Sequence, residues 1–268
     1  MNTLINNFYC DIVLKYANKL YPEKSNTKYT NDYYLKNIIT VLDSFVSFSS
    51  LKYSKNLESS KFYHYKTIEK KHRFWSKYGV YQDAFHEIIK MNPECCVTED
   101  IFIDSSKIIN KFGSEYVGFG LELDRKKRYS SITILVNSNK KLIGLFYNKT
   151  HKKELKNQKI IQTLPHDATT INTAIKYINS EKKYNLIGDT GYIINKKNII
   201  SDNVTVIYRK RKNQLVKNTD DEKNKLKKRY IVENVFAFMK RFSRLHVRRD
   251  RLISTYMGFV YLGSLSII

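Results

Sequence analysis

The chain has 268 residues, 42% of them hydrophobic, and its 48 Lys and Arg outnumber 25 Asp and Glu to give a formal charge of +23. That apolar content is enough to fill the core of one catalytic domain and a smaller companion, which excludes a disordered basic tail. The excess charge is spread along the chain and favours a polyanionic partner, nucleic acid before a membrane surface, because no cationic amphipathic helix stands apart from the rest.

Cys10 and the adjacent Cys95-Cys96 offer neither C-x2-C spacing nor an even set for disulfides, so a reducing compartment and no structural zinc are expected. The first nine residues lack the pattern of a signal peptide. The closing run from Tyr256 to Ile268 is apolar but shorter than the ~20 residues of a bilayer span, and it reads as a buried terminal helix. A cytoplasmic or nucleoid-associated protein with no membrane partner is the expectation.

From the N-terminus, Leu4, Ile5, Phe8, Ile12, Val13, Leu14 and Leu20 have helical spacing up to Pro22, and Tyr33 to Phe45 repeats it, with Asn31 as a plausible cap. In Thr67 to Gly79, Ile68, Trp75 and Tyr78 share one face while Lys70, Lys71, Arg73 and Lys77 point away from it. A further helix from Tyr81 to Lys90 buries Phe85, Ile88 and Ile89. Together these predict an all-α, helix-turn-helix-like domain over residues 1–97, with a basic helix suited to a major groove and its phosphates.

The second half of the chain alternates strands and helices. Ile101-Phe102-Ile103-Asp104 is a short apolar strand ending on an acid. Ser130 to Val136 and Leu142 to Tyr147 form a hairpin across a polar turn. His166-Asp167 opens a helix, with Asp167 as the expected cap. Tyr184 to Gly188 is a strand ending on Asp189, followed by Thr190-Gly191-Tyr192, and Val204 to Tyr208 is a fifth strand. A basic connection from Arg209 to Lys228 leads to a helix over Lys227 to Phe242, whose apolar arc must be buried and whose Glu233 lies outside that arc. Taken singly, Asp104 and Asp189 read as turn formers or caps, and Glu233 as a solvated side chain.

Taken together, Arg229, Glu233 and Lys240 reproduce an R-x3-E-x6-K spacing, and the chain resembles the DDE-type insertion-sequence transposases. Leu226 occupies the place where that family has a Tyr. The resemblance covers nearly the whole chain and implies an α/β catalytic domain over 98–268, an RNase H-like mixed β-sheet of about five strands flanked by helices. It implies that Asp104, Asp189 and Glu233 are the catalytic acids and ligands of two Mg2+ or Mn2+ ions. Hard cations take carboxylate oxygens, and two ions can activate the attacking oxygen and stabilise the leaving one. Which acid bridges is left open.

Lys240 and Arg229 are expected to hold a phosphate of the DNA end, and the basic run containing Arg244 and Arg248 to track the backbone. The implied partners are double-stranded DNA, as terminal inverted repeats and target, and a second copy in a synaptic homodimer. The implied reaction is metal-dependent cleavage followed by strand transfer. Two alternatives keep the fold: a domesticated or inactive relative that binds DNA without cutting it, and an RNase H-like nuclease without strand transfer.

Overall fold

The computed structural model describes residues 5–23, 29–44, 47–53, 65–119, 128–154, 160–178, 180–194, 199–211 and 213–268. By internal contacts the chain divides into two units. One comprises Met1–Met91, Lys111–Glu115 and Met239–Ile267, the other Asn92–Asn110 and Tyr116–Phe238 with Ile268. Residues 239–267 thus belong with the N-terminal helices, whereas the sequence suggested a single cut at 97/98. The physical reason is that the last long helix is apolar on every side and needs helices around it.

The sheet-bearing unit contains β1 (Asp100–Asn110), β2 (Gly118–Phe119), β3 (Arg128–Asn137), β4 (Leu142–Tyr147), β5 (His151–Glu154) and β6 (Ile160–Thr163). These are followed by α5 (Ile171–Ile178), β7 (Tyr184–Gly188), β8 (Val204–Tyr208), α6 (Asp220–Lys227) and α7 (Tyr230–Met239). The sheet is mixed and runs β5-β6-β2-β3-β1-β7-β8, with β4 also paired to β3. β1 is antiparallel to β3 and parallel to β7, and β7 is parallel to β8. The apolar run Ile101-Phe102-Ile103 is fully buried, as a strand covered on both faces requires.

The β3–β4 turn is held by Asn137, which is fully buried. Its Nδ2 donates to the carbonyls of Glu94 and Cys96 at 2.7 and 2.9 Å, and its Oδ1 accepts from the N–H groups of Asn139 and Lys141 at 3.0 Å each. All four hydrogen-bonding positions of the amide are used, so the turn is tied to the segment that enters the sheet.

Three expectations differ. β1 does not end on Asp104 but continues to Asn110, because its partner β3 is long enough to pair it as far as Ile109. The β5–β6 ribbon was not anticipated. The helix expected over Lys227 to Phe242 is the shorter α7, and the basic connection expected before it carries a helix of its own, α6, separated from α7 by a break at Lys228-Arg229. α6 starts with a capping box, Thr219 Oγ1 accepting from Glu222 N while Glu222 reaches back to Thr219 N at 3.1 Å.

The helical unit holds α1 (Asn7–Leu20), α2 (Asn31–Asp43), α3 (Tyr65–Lys77), α4 (Val80–Met91), α8 (Ser243–His246) and α9 (Ile253–Ser264). Thr30, not Asn31, caps α2; the buried Asn31 side chain instead donates to Asn18 Oδ1 at 2.6 Å. Phe45, expected in this helix, lies outside the described residues. Gly79 takes φ +77° between α3 and α4, a conformation that favours glycine. α9 lies close on α3: a Cβ at Gly258 would collide with Ser76 Oγ. Between them His72 stacks on Phe259 with ring centroids 4.0 Å apart. Its Nε2 lies 3.1 Å from the Thr255 carbonyl and its Nδ1 3.0 Å from Tyr81 Oη. A carbonyl can only accept, so Nε2 carries the proton and Nδ1 accepts from the phenol. Burial pushes the His72 pKa down to about 3.

Candidate active site

The parallel pairing of β1 and β7 is where the acids meet. Asp100 pairs with Asn185, Ile101 with Leu186 and Phe102 with Ile187. Carried two residues past the end of this ladder, the same offset matches Asp104 on β1 with Asp189, which stands just beyond β7, and the two are near enough for the charge of Asp189 to act on Asp104. Asp189 leaves β7 as the cap of a single 3-10 turn, its Oδ1 accepting from Gly191 N at 2.7 Å. Asp104 Oδ1 accepts from Ser105 N at 2.9 Å. Each carboxylate therefore keeps one oxygen on the backbone and leaves the other for a ligand.

A third acid joins them. Asp167 was expected to cap its helix, but His166 does so, with Nδ1 accepting from Ala168 N at 3.3 Å. The Asp167 carboxylate is thereby left to face Asp189 across Gly191. A Cβ at Gly191 would fall 2.7 Å from Asp167 Oδ2 and 2.9 Å from Asp189 Oδ1, so two carboxylate oxygens converge on the space that glycine leaves open. In the sequence the pair His166-Asp167 has two readings, a His-Asp pair like one that often follows the hairpin in the transposases the chain resembles and a helix cap, and propensity favours Asp167 as the cap.

Burial pushes the Asp104 carboxyl up to about 6, opposed by the Ser105 N–H and the Arg229 guanidinium and reinforced by the charges of Asp189 and Asp167. Asp167 is likewise held above the usual carboxylate range, first by burial and then by Asp189, with His166, Ser105 and Lys107 opposing. Behind the acids runs a polar network. Ser105 Oγ lies 2.8 Å from Thr133 Oγ1 and 3.0 Å from Tyr192 Oη, Thr133 Oγ1 donates to Asn148 Oδ1 at 3.0 Å, and Asn148 Nδ2 donates to Ser131 Oγ at 2.8 Å. One hydroxyl thus links β1, β3 and the turn that carries Asp189.

Arg229 sits in the break before α7, with Nη2 4.0 Å from Asp104 Oδ2. Its Nε is buried with no hydrogen-bond partner among the described residues. Glu233 follows one turn later, ~6 Å along the helix axis, on the exposed side of α7. Among the described residues no three of His, Cys, Asp and Glu stand close enough to hold a metal ion. Asp104, Asp189 and Glu233 are therefore not drawn into one cage. The donor chemistry nonetheless suits a hard divalent cation: neighbouring, partly desolvated carboxylates with oxygens to spare.

A family model described as DDE superfamily endonuclease matches residues 104–262, more than half of the chain. The chain belongs to the DDE superfamily endonucleases. The match opens on Asp104 itself and takes in Asp167, Asp189, Arg229 and Glu233. Among solved structures, a piggyBac transposase synaptic complex with hairpin DNA is similar at 15% identity with a TM-score of 0.41, over 80% of this chain and 50% of that one. The present chain thus spans about half the length of that transposase chain. No curated protein matches it.

The cations expected on DNA divide in two for this DDE endonuclease. Lys70, Arg73, Lys77 and Lys240 are exposed, Arg73 paired with Glu69. Lys71 is half-buried among aromatic rings. Arg244 and Arg248 are buried, which corrects their assignment to a DNA-tracking tail. Arg248 Nε, Nη1 and Nη2 donate to the carbonyls of Asp250, Glu115 and Arg251 at 3.0, 2.7 and 3.0 Å. Arg244 lies 5.4 Å from the Phe259 ring centroid and 5.7 Å from that of Phe48. A guanidinium buried against backbone carbonyls or closed in by rings is out of reach of a phosphate on the surface. No helix among the described residues is long and apolar enough to cross a membrane.

Proposed function

We propose that this DDE endonuclease is a DNA transposase that binds the ends of its element, cuts them and joins the freed 3′-hydroxyls to target DNA. The reading is carried by the nearness of Asp104 on β1 to Asp189 just beyond the parallel strand β7, inside the region that matches the family. The path β4-β3-β1-β7-β8, with its antiparallel hairpin and parallel far side, supports an RNase H-like sheet. The net charge of +23 and the exposed Lys70, Arg73, Lys77 and Lys240 support duplex DNA as partner. α3 and α4, joined through Gly79, serve as the helix-turn-helix-like element, and two copies join two ends.

Asp104, Asp189 and Glu233 would hold the Mg2+ or Mn2+ ions, with Asp167 beside Asp189 as a further donor. When bound, divalent ions activate the attacking oxygen and stabilise the leaving one. The chain's own contribution is orientation: Ser105 and Tyr192 fix the turn of Asp189, and Arg229 supplies a fixed positive charge where phosphate oxygens must arrive.

The test is Mg2+-dependent nicking of plasmid DNA carrying the sequences that flank the coding region, by the wild type and by Asp104→Asn, Asp189→Asn and Glu233→Gln. Loss of nicking in each variant and strand-transfer products with the wild type are expected. Undiminished nicking by all three would end the proposal, and cleavage without transfer would reduce it to a nuclease.

A further inference from the structure

The α3 segment also lines a cleft of about 410 Å³ in the helical unit, closed by the end of α1 and the start of α2. Inside it Lys71 Nζ stands 4.4 Å from the Tyr21 ring centroid, 5.3 Å from that of Tyr34 and 5.5 Å from that of Trp75. Among the described residues it makes no hydrogen bond or ion pair; its partners are the rings and the charge of Glu23, which lines the same cleft. Glu23 itself is occupied, accepting from the backbone N–H of Asn31. An ammonium with three donors, partly stripped of water and given ring faces but no hydrogen-bond acceptor, has donors to spare for an anion.

The mouth of the cleft has a second character. Tyr21 is 46% exposed and Phe74 36% exposed, and their rings stand edge to face at 6.4 Å and 80°. They present open, flat apolar surface directly beside the half-buried cation. Lys70 lines the same cleft with its charge in solvent. A duplex offers phosphates to the lysines but keeps its base faces stacked inside. A nucleotide out of the stack offers both a phosphate and a free π-face, and base stacking on aromatic side chains is tolerant of sequence.

We propose that this cleft takes one unstacked nucleotide of single-stranded or frayed DNA, its phosphate on Lys71 and Lys70 and its base against Tyr21 and Phe74. The inference rests on the reading of the chain as a DNA-binding protein, and it adds a strand-specific site to the basic duplex-binding surface. Such a site would favour DNA whose end is already opened.

The experiment measures binding of the full chain to three probes of equal length by fluorescence anisotropy: a thymidine oligonucleotide, the same backbone without bases, and a duplex. Tyr21→Ala and Phe74→Ala are each expected to weaken the thymidine strand about ten-fold and to leave the other two within about two-fold. Lys71→Gln is expected to weaken both single strands and to lower the slope of log affinity against log salt by ~0.7. Both rings are substantially exposed, so thermal unfolding of the variants should match the wild type. Equal losses on all three probes, or no loss on the thymidine strand, would overturn the proposal. If duplex binds but the thymidine strand binds no tighter than the baseless one, this site alone is refuted; if no probe binds, the DNA reading falls with it.

Discussion

Arg229 holds its Nη2 4.0 Å from Asp104 Oδ2, with only 17% and 23% of the two side chains exposed. The cation that keeps Asp104 an anion therefore comes from the residue one turn before Glu233, and it occupies the neighbourhood where a divalent ion would compete for the same carboxylate. A unit charge at 4 Å is worth ~4 kcal/mol at an effective dielectric of 20, and partial exposure reduces this to about 1–2 kcal/mol. Arg229→Gln should accordingly bind Mn2+ roughly five-fold or more tightly in the absence of DNA, as read by titration calorimetry. The same variant should nick DNA at least ten-fold more slowly, because the phosphate loses its guanidinium. Weaker Mn2+ binding would show that Arg229 supports the ion's site and does not compete with it.

Asp104 is destabilising as an anion. Its carboxyl is pushed up to about 6 from an ordinary 3.8, so at pH 8 the folded chain carries a charge that the unfolded chain holds more easily. Asp104→Asn keeps the shape and an oxygen for the Ser105 N–H. It should raise metal-free stability at pH 8 by about 1–2 kcal/mol while abolishing cleavage, the trade expected of a residue kept for chemistry. Denaturant unfolding at pH 8 measures it, and a loss of stability would assign Asp104 a structural role.

Arg248 and Lys240 should separate cleanly. Arg248 is fully buried and saturates three backbone carbonyls, so Arg248→Lys leaves acceptors unmet and should cost about 2–4 kcal/mol in unfolding free energy. Lys240→Gln should leave the melting temperature unchanged and lower the salt dependence of duplex binding, with a slope smaller by ~0.9 if one phosphate contact is lost. The converse pattern would return Arg248 to the DNA surface.

His72 makes the helical unit acid-sensitive. Its folded pKa is about 3 against 6.5 for an exposed imidazole, so between these values the unfolded chain binds a proton that the folded chain refuses. The contribution is complete above pH ~6.5 and is lost as pH falls toward 3, at up to about 1.4 kcal/mol per pH unit. Trp75 is the sole tryptophan, buried on the same helix three residues away, and its fluorescence reports the transition. The denaturation midpoint should fall steadily from pH 6.5 to 4.5, and His72→Gln should flatten that fall. A wild-type midpoint independent of pH over this range would show that the imidazole is accessible to protons.

The sheet was legible where local pattern and burial agree. The run Ile101-Phe102-Ile103, the alternation through Ser130 to Val136 and the apolar segment before Asp189 each have one reading, and each is a strand. α6 was legible too, in Thr219-Asp220-Asp221-Glu222, but the surrounding lysines made the segment read as a connection. What the sequence could not disclose depends on contacts between distant residues. Nothing near Arg248 announces that the carbonyl of Glu115 will accept from it, and nothing near Asp167 announces that Gly191 will leave room for its carboxylate. The same holds for Arg229: its spacing to Glu233 is visible, its reach to Asp104 is not.

Mn2+ binding by the wild type, Asp104→Asn, Asp189→Asn and the double variant tests most directly whether these two neighbouring carboxylates serve one ion. If they share it, each single change weakens the tight site at least ten-fold, and the double variant is little worse than either single one, since coupled ligands are not additive. Wild-type affinity in both single variants, or losses that add in the double variant, would mean that Asp104 and Asp189 do not hold a common metal.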